Sequence, residues 1–147
     1  MTARRPILIT EDDMARLREL VRQGRATARR DADHLAGLDQ ELARAEVVAS
    51  GEISADVVTM HSTVRVRDVD GGRSAVYTIV FPVDADLERN RISVLAPIGT
   101  ALIGYRAGDL IEWATPGGTK RLQIEEVLFQ PEAAGAVPAG ASMEAVP

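Results

Sequence analysis

The composition changes near residue 50, and that change limits the chain to folds that join a helical segment to a small sheet. From Thr10 to Val47 there is no proline, and Met14, Leu17, Leu20 and Val21 recur at helical spacing. Leu35, Leu38, Leu42 and Ala45 form a second stripe, with Gly24 as the one clear break between the two. Thr10 suits the N-cap of the first helix. Glu11, Asp12 and Asp13 fill its first turn, and Arg16, Arg18 and Arg22 follow, an order the helix macrodipole favours. Two short helices with facing stripes and a polar connection predict an antiparallel helical hairpin, a short coiled coil. Neither helix is secure alone, so the stripes should be buried against each other and against the base of the next domain. A helix from Asp12 to Gln23 would extend roughly 18 Å at ~1.5 Å per residue.

From Asp56 onward the chain is rich in β-branched residues and punctuated by glycine. Val57 and Val58 begin an apolar run, and Val64 and Val66 alternate with Arg65 and Arg67 as in a half-buried strand. Asp70-Gly71-Gly72 is a hairpin turn signal, because these residues accept positive φ cheaply. Ala75 to Phe81 forms the return strand, and Ile92 to Leu95 a further short one. Pro97 suits a helix start and Gly104 its end. Gly108-Asp109 turns the chain into a strand through Ile111 and Trp113, Pro116-Gly117-Gly118 is a second tight turn, and Leu122, Ile124 and Val127 lie on the last strand. The fold class is therefore α+β: a helical hairpin over 1–50, then an antiparallel β-sheet domain with one short helix over 51–130. Residues 131–147 are mostly Ala, Gly, Pro and Val without periodicity and are expected to be a disordered tail.

Several function classes fall away on composition. The net charge of −5 argues against general nucleic-acid binding, which draws its affinity from clustered Lys and Arg. The absence of cysteine excludes disulfides, thiolate catalysis and Cys-ligated metals. Aromatic residues make up only 3% of the chain, so a base-stacking or ligand-caging pocket has little to draw on beyond Tyr77, Phe81, Tyr105, Trp113 and Phe129. No apolar run approaches the ~20 residues that span a bilayer, and no signal-peptide segment follows the first residues. The expectation is a cytoplasmic protein without a membrane partner. His34 and His61 lack an acidic or histidine neighbour at metal spacing, and no histidine-centred triad is visible around Ser62, Ser74 or Ser93. Neither a catalytic residue, a metal nor a cofactor is expected.

The run from Ile92 to Gly104 (Ile-Ser-Val-Leu-Ala-Pro-Ile-Gly-Thr-Ala-Leu-Ile-Gly), with Gly108-Asp109 and Thr115-Pro116-Gly117-Gly118 after it, resembles the C-terminal domain of the Gre transcription factors. The likeness covers about Val57 to Phe129 and is specific in order and spacing. Within that family it is similar to the Rnk branch, named as regulators of nucleoside diphosphate kinase. The short hairpin, the linker Asp56 to Ser62, Ala96-Pro97 in place of Ser-Pro, and the stretch Phe129 to Gly135 all point there. The resemblance implies an FKBP-like sheet curled around a short helix. It also implies a regulator that binds RNA polymerase at its secondary channel and competes with Gre factors there.

Gre factors carry acidic residues at the hairpin tip that help hold a catalytic metal, because Mg²⁺ wants oxygen ligands. The corresponding stretch here, Gly24 to Asp33, is shorter, lacks that motif and carries Arg25, Arg29 and Arg30 beside Asp31 and Asp33. Asp31 reads equally as a first-turn acid of the second helix, and transcript cleavage is not expected. The rim of the polymerase channel is met in Gre relatives by the loop that corresponds to Leu95, Ala96, Pro97 and Ile98. Ala96 stands where those relatives have serine, so the hydroxyl they offer to the rim is missing. Pro97 and Gly99 also serve simply to shape the strand-to-helix turn. Two other readings stand beside this one: a peptidyl-prolyl isomerase, from the FKBP-like fold alone, and a dimerising scaffold that uses the hairpin to self-associate. A monomer is expected under the first reading.

Overall fold

The computed structural model describes residues 7–27, 32–115 and 117–134. A short strand β1 (Leu8–Thr10) leads into helix α1 (Glu11–Thr27), followed by α2 (Ala32–Ala43) and β2 (Glu46–Val48). The Thr10 hydroxyl accepts the Asp13 amide at 3.1 Å, so the expected N-cap is in place. The buried faces are Met14, Leu17 and Val21 on α1 and Leu35, Leu38 and Leu42 on α2. Gly24 does not break the first helix, which continues to Thr27. A Cβ at Gly24 would lie 2.8 Å from Leu35 Cδ1, so the glycine lets the two helices approach closely. Further down the pair, Arg18 lies 3.7 Å from Asp39. At 17 residues, α1 is about 25 Å long at ~1.5 Å per residue, longer than the break at Gly24 would allow.

Strands β1 and β2 pair in parallel, with Leu8 opposite Glu46 and Thr10 opposite Val48. Parallel neighbours need a long crossover, and here the two helices are that crossover. Nothing in the residue pattern announces this clasp.

The second sheet holds β3 (Thr63–Asp68), β4 (Ser74–Val80), β5 (Arg91–Ser93), β6 (Leu110–Thr115) and β7 (Gly118–Phe129), in the order β5-β4-β3-β7-β6. The expected all-antiparallel sheet is corrected to a mixed one. β3 pairs antiparallel with β4 and β7, and β6 with β7, but β4 and β5 are parallel, with Thr78 opposite Arg91 and Val80 opposite Ser93. The reason lies between them. Two 3-10 turns, Pro82–Asp84 and Leu87–Arg89, carry the chain back along β4 before β5 begins. The turn at residues 68–74 has the expected form, with the Asp68 carboxylate accepting the Asp70 and Gly71 amides at 3.0 and 3.1 Å, and Gly72 at φ 75°.

Helix α3 (Pro97–Leu102) follows β5, is capped by Ile103, and gives way to Gly104, whose φ is 85°. One continuous apolar core joins Leu17, Leu38 and Leu42 of the helices to Val64, Ile79, Ile92, Ile111 and Ile124 of the sheet and Leu102 of α3. It runs across the expected division at residue 50. Residues 131–134, which composition places in the tail, instead form a turn built on the buried Gln130. The Gln130 side-chain amide donates to the Ser54 and Val57 carbonyls at 2.7 and 2.8 Å, and its oxygen accepts the Ala133 amide at 3.1 Å. Residues 135–147 lie outside the described residues. No helix among the described residues is long and apolar enough to cross a membrane.

Candidate partner-binding surface

The turn from β5 into α3 presents Leu95, Ala96, Pro97 and Ile98 together. Pro97 is exposed, while Leu95 and Ile98 are half-buried and packed on the core. The Ser93 hydroxyl accepts the Leu95 amide at 3.0 Å, and the Ser93 carbonyl accepts the Ala96 amide at 3.0 Å. The Thr100 hydroxyl donates to the Val94 carbonyl at 2.6 Å. Gly99 is buried against this backbone, where a Cβ would overlap the Ser93 carbonyl oxygen. Ala96 occupies the N-cap position of α3 with φ −66° and ψ 148° and makes no side-chain cap bond. A serine there would supply an acceptor for the first turn, so the alanine removes a cap as well as a surface hydroxyl.

The segment linking β4 to β5 lies beside this turn. Val94 donates its amide to the Val80 carbonyl at 2.9 Å, and the Pro82–Asp84 turn packs on β5. Val83, 89% exposed, therefore sits at the same end of the sheet as the α3 turn.

The far end of the helix pair falls largely outside the described residues. Arg25 closes the last turn of α1 and Asp33 opens α2, and nothing is described of either side chain. Arg29, Arg30 and Asp31 lie outside the described residues altogether. Among the described residues no group of three or more His, Cys, Asp or Glu side chains is arranged to hold a metal ion.

A polar junction that the residue pattern does not single out lies at the foot of α1. Asp13 is 2% exposed. One of its carboxylate oxygens accepts the Met60 amide at 3.0 Å and the other the Arg16 guanidinium at 2.8 Å. Burial pushes the Asp13 carboxyl above the usual range, against the opposing pull of the Met60 amide and of Arg16. The Arg16 guanidinium lies over the Phe81 ring at 5.6 Å, and the His61 ring is tilted against the same ring at 5.7 Å. His61 takes a left-handed backbone conformation, φ 68°, and burial lowers its imidazole pKa, with Arg16 adding to the effect. The Thr59 hydroxyl donates to the Glu132 carboxylate at 2.8 Å and shares a hydrogen bond with Ser62 at 2.8 Å. The sequence reads Asp13 as a first-turn acid, yet its spacing of four from Leu17 places it on the apolar stripe. That spacing is the available signal.

Residues 53–129 match the family described as "Transcription elongation factor, GreA/GreB, C-term", and residues 5–48 match "Rnk N-terminus". The chain is 40% identical over 133 residues to the regulator of nucleoside diphosphate kinase of Escherichia coli strain K12, a match that covers 89% of this chain and 96% of that protein. It is 44% identical over 92 residues to the transcription elongation factor GreA of Rhodospirillum rubrum, covering 63% of this chain and 59% of that protein. A solved structure titled "Prokaryotic transcription elongation factor GreA/GreB from Nitrosomonas europaea" superposes with a TM-score of 0.68 at 41% identity, covering 86% of this chain and all of that one. The chain belongs to the GreA/GreB family of transcription factors, in the branch that carries the Rnk N-terminus.

Proposed function

We propose that the protein is a monomeric cytoplasmic regulator that binds RNA polymerase at the secondary channel, where it competes with Gre factors and cleaves no transcript. The helix pair is an antiparallel hairpin that occupies the channel entrance, and the sheet domain is an FKBP-like body that docks on the rim. The observation that carries the proposal is the likeness of this chain, over 53–129, to transcription elongation factors, joined to a turn at Leu95–Ile98 whose shape is held by backbone contacts. That turn offers an exposed proline flanked by half-buried apolar side chains, a form suited to a protein surface. Absence of cleavage rests on composition, since Arg25, Arg29 and Arg30 lie close before Asp31 and Asp33 in sequence and their charge weakens any affinity for Mg²⁺. Any influence on nucleoside diphosphate kinase, the activity in the name of the Escherichia coli relative, is exerted through transcription.

The test is capture of purified core RNA polymerase by this protein, with a Gre factor as competitor. Binding that the competitor displaces supports the channel reading. Retention of both proteins at saturation overturns it, and no binding at tens of micromolar removes the polymerase from consideration.

A further inference from the structure

We propose that Asp13 is a positioning residue that sets the angle at which the helical hairpin leaves the sheet domain. Its consequence for polymerase rests on the function proposed above; the angle itself does not. The hairpin touches the rest of the molecule through two kinds of contact. Met14 and Leu17 meet the shared core through apolar surface, which holds the helix down but permits it to slide or rotate. The Asp13 carboxylate is different, because a hydrogen bond to a backbone amide has a direction. It ties the first turn of α1 to the Met60 amide, and the next residue, His61, donates its own amide to the Ile79 carbonyl of β4 at 2.7 Å. Helix, linker and central sheet are thus joined by consecutive directional bonds. The second carboxylate oxygen holds Arg16 of the same helix, and the Arg16 guanidinium lies over Phe81 just past the end of β4, so Asp13 also orients the side chain through which α1 meets that end of the sheet.

Stability alone does not account for an acid at this position. Leucine would extend the stripe of Met14, Leu17 and Val21 without the cost of burying a charged group. What the carboxylate adds is orientation. A tilt of about 10° at the foot of a helix about 25 Å long moves its far end by about 4 Å, comparable to the width of a side chain. Two further contacts lie at the foot: the exposed Asp12 carboxylate accepts the Ser50 hydroxyl at 3.2 Å, a bond to the segment after β2 and not to the five-stranded sheet, and Ile7 packs beneath Gly104 on the approach to β1. Neither ties α1 to the five-stranded sheet with a directional bond, as Asp13 does through Met60 and His61.

The chain contains no cysteine, so a pair of introduced cysteines carries spin labels at two defined points. Arg22→Cys on the exposed side of α1 and Arg67→Cys on the sheet report the distance between hairpin and domain. The expected result is a single narrow distribution in the parent and one about twofold broader in Asp13→Ala, as the helix samples several tilts. An unchanged narrow distribution in a variant that still melts cooperatively overturns the proposal. If Asp13→Ala does not fold, Asp13→Leu decides in its place: it extends the apolar stripe but can accept neither the Met60 amide nor Arg16, and it too must broaden the distribution. Polymerase capture by the same variants is the second readout. Failure of the parent to bind polymerase sinks the proposed function and leaves the distance result standing, whereas unchanged distances sink the positioning role whatever the polymerase does.

Discussion

The turn into α3 and the foot of α1 both fix a helix against the sheet, and they do so with different materials. At α3 the bonds are local in sequence and centre on main-chain groups: the Ser93 carbonyl accepts the Ala96 amide, the Ser93 hydroxyl accepts the Leu95 amide, the Thr100 hydroxyl donates to the Val94 carbonyl, and Gly99 lies against that backbone with no room for a side chain. At α1 the bonds are made by side chains distant in sequence: Asp13 reaches Met60 of the linker, and that linker is in turn held to the C-terminal turn by Thr59 on Glu132 and by Gln130 on Ser54 and Val57. A junction centred on main-chain groups leaves a surface residue such as Ala96, which makes no side-chain cap bond, open to exchange. A side-chain-made junction is as durable as its individual members. The same chain therefore contains a turn whose surface residues are free to vary in chemistry and a mount for the helix pair whose residues are not.

Three substitutions bear on this contrast. Gly99→Ala attacks the backbone-made turn at its one steric requirement, and it should cost about 3 kcal/mol or more, read as a shift in the urea midpoint. If the cost is under about 1 kcal/mol, the turn relaxes easily and the contrast fails. Gln130→Ala removes the side chain that satisfies two carbonyls at the other junction, and about 2 kcal/mol should be lost. A neutral result would mean that water replaces the amide there. Ala96→Ser restores a cap on α3 and should stabilise by about 0.5 kcal/mol in a thermal melt. A destabilising outcome would show that the turn is more sensitive to its side chains than its backbone contacts imply.

Much of the architecture is legible in the residue pattern wherever one residue type answers one local need. Thr10 caps α1, Gly72 takes a positive φ in the β3–β4 turn, and Pro97 and Gly104 bracket α3. The unread features share a different cause, since each depends on what lies opposite in space. Gly24 looks the same whether it breaks a helix or admits Leu35 against one. The parallel pairs β1–β2 and β4–β5 are three-residue matches whose partners come from distant sequence. Asp13 carries a first-turn signature that is correct locally and silent about burial. Of the candidate surface, the Leu95–Ile98 turn is legible from its proline and glycine, while the Asp13 junction requires coordinates.

The parallel clasp between β1 and β2 has a consequence for how proteins of this kind can change. It ties the chain together on either side of the two helices, at Leu8–Thr10 and Glu46–Val48. Everything between behaves as a loop whose ends are already closed. The entropic cost of closing such a loop grows only with the logarithm of its length, about 0.6 kcal/mol per doubling. Whole turns can thus be added to or removed from both helices together while the mount stays as it is. The length of the helix pair becomes a dimension on which such proteins can differ without rebuilding the rest of the fold.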